Sequence, residues 1–282
     1  MSNVDIDAIL PAHVYNSLII DHEATERAEF IGLKAKHLPH LFKILSDNGV
    51  SEFLEIHLLH RHFQLEEGEA LIHKTLAIPG SENAPSICVD IAKPVSSAES
   101  MKSSLVPLLW MVSDSGLIAY EYGVEEGQES RSLGAKIPAK TWKAFSQEFS
   151  DYVCSSGIAD LVSLKDKSCI KGGEYVSPNM RALFRIPEQG VNLQPGSHML
   201  ESGWQPIADG GADAIFPECT DGHVTKTRQT SGGTVAHYHT TDELGINAFN
   251  PQEVPLTYTN AMWTAVKSVN FWSLGGMVGV TV

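Results

Sequence analysis

The stretch from residue 50 to residue 78 decides the predicted fold and reads VSEFLEIHLLHRHFQLEEGEALIHKTLAI. Two runs rich in aliphatic, aromatic and β-branched residues flank the polar turn Glu66–Glu69, which is the pattern of a β-hairpin. The first run also carries three histidines, His57, His60 and His62, in a segment that otherwise resembles a buried strand. Imidazole is the side chain most used to bind metals and to transfer protons near neutral pH. The stretch therefore predicts a sheet with a site on it.

Further periodic segments extend this prediction along the chain. Apolar spacing predicts a helix over residues 38–47 and an amphipathic helix within residues 138–157. Strand-like runs over residues 86–92 and on both sides of the turn at 113–116 predict another strand and a second hairpin. After Ser163, paired glycines and several prolines separate short strand-like pieces, so the remainder is expected to be rich in loops.

These elements predict an α+β fold with a mostly antiparallel β-sheet, a few packed helices and a loop-rich C-terminal half. The 282 residues are enough for one large domain, and no linker rich in proline and serine divides them. We expect a single domain over residues 1–282, with a soft boundary near residues 160–175. The apolar run Phe271–Val282 is expected to form a buried strand or a contact in a homo-oligomer.

The composition limits the classes of partner. The net charge is −14, and lysines and arginines form no run with interleaved aromatic residues, so we expect no nucleic-acid partner. No apolar run reaches the ~20 residues of a membrane helix, so we expect no membrane association. Residues 1–15 lack the pattern of a secretory signal, and the four cysteines show no close pairing. The expectation is an intracellular, cytoplasmic protein with a small-molecule ligand.

The first histidine cluster depends on the hairpin register. If the turn pairs Leu65 with Ala70, His62 lies opposite His73, and strand alternation puts His60 and His62 on the same face. Three converging imidazoles can hold zinc with an open fourth position, where a bound water becomes acidic. A change of one residue in the turn would move His73 to the other face. The competing interpretation is that these histidines are polar residues hydrogen-bonded to their neighbours.

A second cluster follows Gly232-Gly233 and has the order His237-Tyr238-His239, with Glu243 four residues later. Two histidines and a carboxylate can bind one face of an iron, manganese or zinc ion and leave the opposite face open. This spacing is similar to the first metal-binding motif of the cupin barrels over about a dozen residues. Cupins supply a further histidine from a later strand, whereas no histidine follows His239 here, so the motif does not assign the family.

Cys219 and His223 precede the second cluster with the spacing Cys-x-x-x-His. Together with His237 and His239 they form a chemically sensible set of four ligands for a structural zinc ion. The same pair also admits nucleophilic chemistry, with the Cys219 thiolate as nucleophile and a histidine as base.

The function predicted from these patterns is a metal-dependent enzyme that acts on a small neutral or apolar molecule. Zinc would activate water for hydrolysis or hydration, whereas iron would support non-haem oxygen chemistry. The expected catalytic groups are His60, His62 and Glu243, and the two His-x-His pairs are able to share one ion. The alternative is a non-catalytic protein that binds a small molecule or another protein and whose histidines are structural. The predicted metal ligands are His60, His62, His73, His237, His239 and Glu243, with Cys219 and His223 as a further pair.

Overall fold

The computed structural model describes residues 9–78, 87–96, 105–124, 133–177, 181–187, 197–208, 215–229 and 235–239. Its helices are α1 (Ala12–Asn16), α2 (Asp21–Ile31), α3 (Leu33–Lys36), α4 (Leu38–Asp47), α5 (Leu133–Lys136) and α6 (Ala139–Ser155). No helix in this part of the chain combines the length and the apolar character that crossing a bilayer requires.

The strands of the described residues belong to a single sheet. They are β1 (Leu54–Leu58), β2 (Glu69–Ile78), β3 (Ile87–Ser96), β4 (Leu105–Ser113), β5 (Gly116–Val124), β6 (Val162–Asp166), β7 (Gly172–Ser177), β8 (Ala182–Pro187), β9 (Ser197–Ala208), β10 (Ile215–Gln229) and β11 (Val235–His239). Ten of them close into a ring in the order β10-β7-β8-β3-β2-β5-β4-β6-β1-β9, because β9 also pairs with β10. Strand β11 is added to β10 outside the ring.

The predicted α+β fold is therefore wrong, because the sheet closes into a mixed ten-stranded barrel with a few short helices. Two pairs, β2 with β5 and β7 with β10, are parallel, and the other described pairs are antiparallel. The closure depends on β9, which pairs with β1 and with β10. Hydrophobic alternation identifies individual strands but carries no information on such distant partners.

The helices cover one side of the barrel. Leu54, Ile56 and Leu58, which alternate along β1, belong to the same buried cluster as Phe42 of α4 and Phe149 of α6. The helix predicted over residues 38–47 is confirmed as α4, and the helix predicted within residues 138–157 is confirmed as α6. This apolar cluster attaches the helices to the outer face of the barrel.

The hairpin predicted around the turn at residues 113–116 is confirmed, since β4 pairs with β5 across Ser113 and Gly116. The hairpin predicted for residues 50–78 is wrong. Strand β1 ends at Leu58 and pairs with β6 and β9, whereas β2 pairs with β3 and β5. The two strands that the turn was expected to join are thus separated in the ring.

The segment after β1 leaves the sheet because other parts of the chain bind its backbone. The Leu59 amide donates to the Leu161 carbonyl over 2.9 Å, and the Arg61 amide donates to the Ile19 carbonyl over 2.9 Å. The Leu65 amide donates to the side chain of Asn16 over 2.8 Å. Residues 59–68 therefore form a loop that is tied to the N-terminal region.

The interior of the barrel is polar. Lys165 on β6 lies 2.5 Å from Asp221 on β10, and His57 on β1 lies 4.0 Å from Glu174 on β7. Neither pair of strands is adjacent in the ring. Such contacts require that the side chains point inward, so the barrel brings together charged residues from distant parts of the chain.

Candidate metal centre in the barrel

Three imidazoles meet inside the barrel. His60 and His62 come from the loop after β1, and His223 comes from β10. One potential ligand atom from each residue lies within 4.8 Å of the other two, and all three residues are buried. Buried imidazole nitrogens at this spacing are suitable ligands for a transition-metal ion.

The tautomer of His60 is fixed by its backbone. Its Nδ1 lies 2.7 Å from the carbonyl oxygen of Leu58, and a carbonyl can only accept a hydrogen bond. The proton of the neutral ring therefore resides on Nδ1, which leaves the Nε2 lone pair for a metal. Burial, assisted by His223 and His62, lowers the pKa of His60 to about 3, so the ring is neutral at physiological pH.

His223 faces His60 and a carboxylate with the same nitrogen. Its Nε2 lies 2.7 Å from His60 Nε2 and 2.8 Å from Glu174 Oε2. Burial opposes the charged form of His223, but the carboxylates of Glu174 and Asp21 together outweigh burial and raise the pKa of the imidazole. The site thus combines one imidazole that stays neutral with one that lies against a carboxylate.

His62 completes the cluster from the other side. Its ring centroid lies 4.8 Å from that of His60 and 5.3 Å from that of His223. Its Nε2 lies 3.6 Å from Glu121 Oε1, whereas its buried Nδ1 has no hydrogen-bond partner among the described residues. Burial lowers the pKa of His62, although Glu121 acts in the opposite direction. A neutral ring with an unpaired nitrogen is again the form that binds a metal.

A charged network extends from the cluster through the barrel. Arg185 donates from Nε to Glu174 Oε1 over 2.5 Å and lies 3.6 Å from Asp90. His73 lies between Asp90 and Glu121, with each of its ring nitrogens 2.7 Å from a carboxylate oxygen. Burial opposes the charge of His73, but Asp90 and Glu121 raise its pKa above the ordinary value.

A second branch of the network contains Lys165. Its ammonium group lies 2.5 Å from Asp221 and 3.5 Å from Glu55. Gly203 on β9 leaves room for this contact, because a Cβ at Gly203 would lie 2.6 Å from the Asp221 carboxylate. Burial raises the pKa of Glu55 to about 7, with Lys165 acting against that rise.

Negative charge is in excess in this interior. The ion pairs described involve five buried carboxylates, whereas one buried lysine and one buried arginine provide the permanent positive charges. The carboxylates are Glu55, Asp90, Glu121, Glu174 and Asp221, and the cations are Lys165 and Arg185. Protonated histidines or a bound cation are needed to balance the remaining charge.

The histidines that meet in the structure are not the set that the hairpin register predicted. His60 and His62 lie together, but their third partner is His223 rather than His73. His73 has both nitrogens bound by carboxylates, so neither ring nitrogen is free for an ion. His57 of β1 stacks against His60 with ring centroids 5.5 Å apart.

Cys219 lies near the cluster in sequence but its sulfur is directed elsewhere. Its Sγ donates to the carbonyl of Asp221 over 3.2 Å. Burial and the negative charges of Glu201 and Asp221 raise the pKa of Cys219 to about 12. The thiol is therefore protonated at physiological pH, which disfavours both the nucleophile and the zinc-thiolate interpretations.

The second His-x-His pair lies on β11. His237 and His239 are paired through their backbones with Thr227 and Thr225 of β10. The side chains of both histidines, the whole of Glu243 and the apolar run at 271–282 lie outside the described residues.

Most of the charged residues around the cluster were missed in the sequence, chiefly Asp90, Glu121, Glu174, Arg185, Lys165 and Asp221. The available signal was polar residues at alternate positions of short strands, such as Glu55 and His57 or Asp221 and His223. This alternation is usually assigned to a solvent-exposed face. Here the same face lies inside a closed barrel.

The network borders a cleft in the described part of the chain. His73 and Asp90 line a cleft together with Thr75, Ser168 and Cys169. This cleft contacts the network through His73 and Asp90, which are bound to Glu121 and Arg185 respectively. No family model, curated protein or solved structure matches this chain in the comparisons made.

Proposed function

We propose that the protein is a metal-dependent enzyme whose metal ligands include His60, His62 and His223. The observation that supports this proposal most directly is the convergence of three buried imidazoles with ligand atoms within 4.8 Å of one another. The hydrogen bond from His60 to Leu58 adds to it, because the partner of the second ring nitrogen commonly orients a metal-binding histidine. The excess of buried carboxylates favours a cation in the same interior.

The imidazole ligands restrict which metals the site would bind. Imidazole binds zinc, iron, copper and nickel, and a site with three protein ligands leaves room for water or substrate. A bound ion of this kind would supply Lewis acidity for water activation or, if it is iron, a centre for oxygen chemistry. The residues of the chain would hold the ion, exclude bulk water and keep His60 neutral.

The surroundings favour a small and uncharged substrate. All three imidazoles are buried, so a substrate that reaches them must be small enough to enter the barrel. The carboxylates Glu174 and Glu121 lie beside the cluster, and their charge disfavours an anion. A small neutral or apolar molecule is therefore the proposed substrate class.

A second candidate function is a binding protein in which the histidines are structural. The observation that favours it is the completeness of the ion pairs around His73, Asp90 and Arg185, which stabilise a barrel without any ligand. In this case the ring nitrogens that the first proposal assigns to a metal would instead carry protons.

We also propose an intracellular location. The four cysteines, Cys88, Cys154, Cys169 and Cys219, are all free. Free thiols are the usual state in a reducing compartment.

Metal analysis of purified, untagged protein by plasma mass spectrometry tests the main proposal. We expect close to one equivalent of a transition metal in the wild type and a large loss in H60Q and in H223Q. The matched control is H40Q, since His40 is exposed and stacks on Tyr152 far from the cluster. Equal metal content in H60Q and the wild type would contradict the proposal, as would a wild type that takes up no metal after incubation with zinc, iron, manganese and copper. Circular dichroism of each variant separates metal loss from unfolding.

A further inference from the structure

Glu174 lies directly against the cluster of three imidazoles. It is fully buried on β7, and its Oε2 lies 2.8 Å from His223 Nε2. Despite this short distance, Oε2 has no hydrogen-bond partner among the described residues, so the contact lacks the geometry of a hydrogen bond. A buried carboxylate oxygen that contacts an imidazole without a well-aligned hydrogen bond keeps lone pairs available to a further partner.

The nitrogen that Glu174 approaches is the one that would bind the metal. His60 has its Nδ1 engaged by the Leu58 carbonyl, so only its Nε2 is available to an ion. That atom lies 2.7 Å from His223 Nε2, and two ligands of one ion must present neighbouring atoms. His223 therefore faces the ion with Nε2, and Glu174 Oε2 lies on the same side of its ring.

The rest of the Glu174 side chain is already held in place. Arg185 donates from Nε to Oε1 over 2.5 Å, and the guanidinium keeps the carboxylate charged. This bond uses one carboxylate oxygen and orients the other towards His223. Carboxylates that bind metals are commonly held by a hydrogen bond of this kind.

We infer that Glu174 is the fourth protein ligand of the metal held by His60, His62 and His223. The inference rests on the proposed function, because it requires a metal at the three imidazoles. The resulting set of three nitrogens and one carboxylate oxygen favours manganese, iron or zinc over the soft ion Cu(I). Any coordination position beyond these four is left for water or for the small substrate.

Manganese is the probe for this inference, since Mn²⁺ is paramagnetic and binds both imidazole and carboxylate. The Kd for Mn²⁺ is measured by chelator competition in the wild type, E174Q and E121Q. Glu121 is the matched control, because it is a buried carboxylate beside His62 and its change to glutamine removes the same charge. We expect E174Q to weaken binding by more than about 100-fold. E121Q removes a carboxylate that contacts His62 and His73 but is not a proposed ligand, so it should weaken binding by about 10- to 100-fold.

A second measurement does not depend on any variant folding. Wild-type protein labelled with ¹³C at the glutamate carboxyl carbons is loaded with Mn²⁺ and studied by pulsed electron paramagnetic resonance. A ligated carboxylate should give a resolved ¹³C coupling in the wild type. Metal binding without such coupling, or equal Mn²⁺ affinities in the two variants, would overturn the assignment of Glu174 and leave the three-histidine site intact. A wild type that binds no Mn²⁺, zinc or iron would overturn both proposals.

Discussion

His60 illustrates how one hydrogen bond fixes the tautomer of a buried imidazole. The bond from its Nδ1 to Leu58 is short and local, since the two residues are separated by one position. This bond alone is enough to fix the tautomer of His60, and burial keeps the ring neutral. The spacing His60-x-His62 could be recognised in the sequence. The third imidazole could not be assigned, because the contact between His60 and His223 joins positions that are 163 residues apart.

Lys165 allows a stability prediction at the same scale. Replacing it by methionine leaves Asp221 and Glu55 without their buried cation. We expect K165M to lower the free energy of unfolding by about 3–5 kcal/mol, measured by urea denaturation at pH 7.

Lys171 serves as the control for this prediction. It lies 3.6 Å from Glu55, but its side chain is 36% exposed, so its ion pair is largely screened by solvent. K171M should cost less than about 1 kcal/mol. Similar losses in K165M and K171M would show that the buried ion pair is not a major source of stability.

Strands β2 and β3 carry the pair formed by His73 and Asp90, which predicts how stability depends on pH. The pKa of His73 is raised, so its contribution is complete below the ordinary histidine pKa of about 6.5 and is lost as pH rises through the raised value. Burial opposes the charge of Asp90, but His73 lowers its pKa. Its contribution is complete above about pH 4 and is lost as pH falls through the lowered value.

The free energy of unfolding should therefore have a plateau between these two limits. On the alkaline side, the loss attributable to His73 should reach at most about 1.4 kcal/mol per pH unit. D90N should remove the acid limb that belongs to Asp90 and shift the alkaline limb to lower pH. Urea denaturation of both proteins between pH 3 and pH 10 provides the comparison. Parallel curves for D90N and the wild type would disprove the coupling.

Helix α6 provides a test of the outer core. Phe149 is completely buried, and its ring lies 5.7 Å from that of Phe145. F149A should lower the free energy of unfolding by about 3–5 kcal/mol because it leaves a cavity. Phe30 on α2 is 90% exposed, so F30A should change stability by less than about 0.5 kcal/mol. Equal effects on thermal or chemical unfolding would contradict the assignment of α6 to the core.

The elements differ in how well the sequence predicts them. Helices α4 and α6 were predictable because their apolar spacing is local, and α4 is followed by Gly49 with φ of 66°, a conformation that favours glycine. The hairpin of β4 and β5 was predictable from its turn. The loop conformation of residues 59–68 was not predictable, because the groups that bind its backbone, on Asn16, Ile19 and Leu161, lie elsewhere in the chain.

The whole barrel is organised around a charged interior instead of an apolar one. Closing the ring turns one face of every strand inward, and polar residues that alternate along the strands then meet. Such an interior holds its shape only if each charge has a partner, so the excess of carboxylates is the feature that most needs a cation.

This excess predicts that metal binding stabilises the entire molecule. At a free metal concentration of 100 times Kd, an ion that binds only the folded state adds about 2.7 kcal/mol to the free energy of unfolding. Thermal unfolding of the metal-loaded wild type should therefore occur at a higher temperature than that of the chelator-treated protein. The unfolding temperature of H60Q should not respond to metal. A wild type with the same midpoint in both states would contradict metal binding to the folded barrel.

The separation of His60 from His223 also bears on the order in which the protein is made. A ribosome has synthesised more than half of the barrel strands before it reaches β10, yet the cluster still lacks one imidazole at that stage. Contacts over such long stretches of chain form late in folding because closing the intervening loop costs entropy. If the protein binds a metal as proposed, the nascent chain lacks His223 as a ligand until β10 has been made. Stable binding of the ion would then indicate that the barrel has closed.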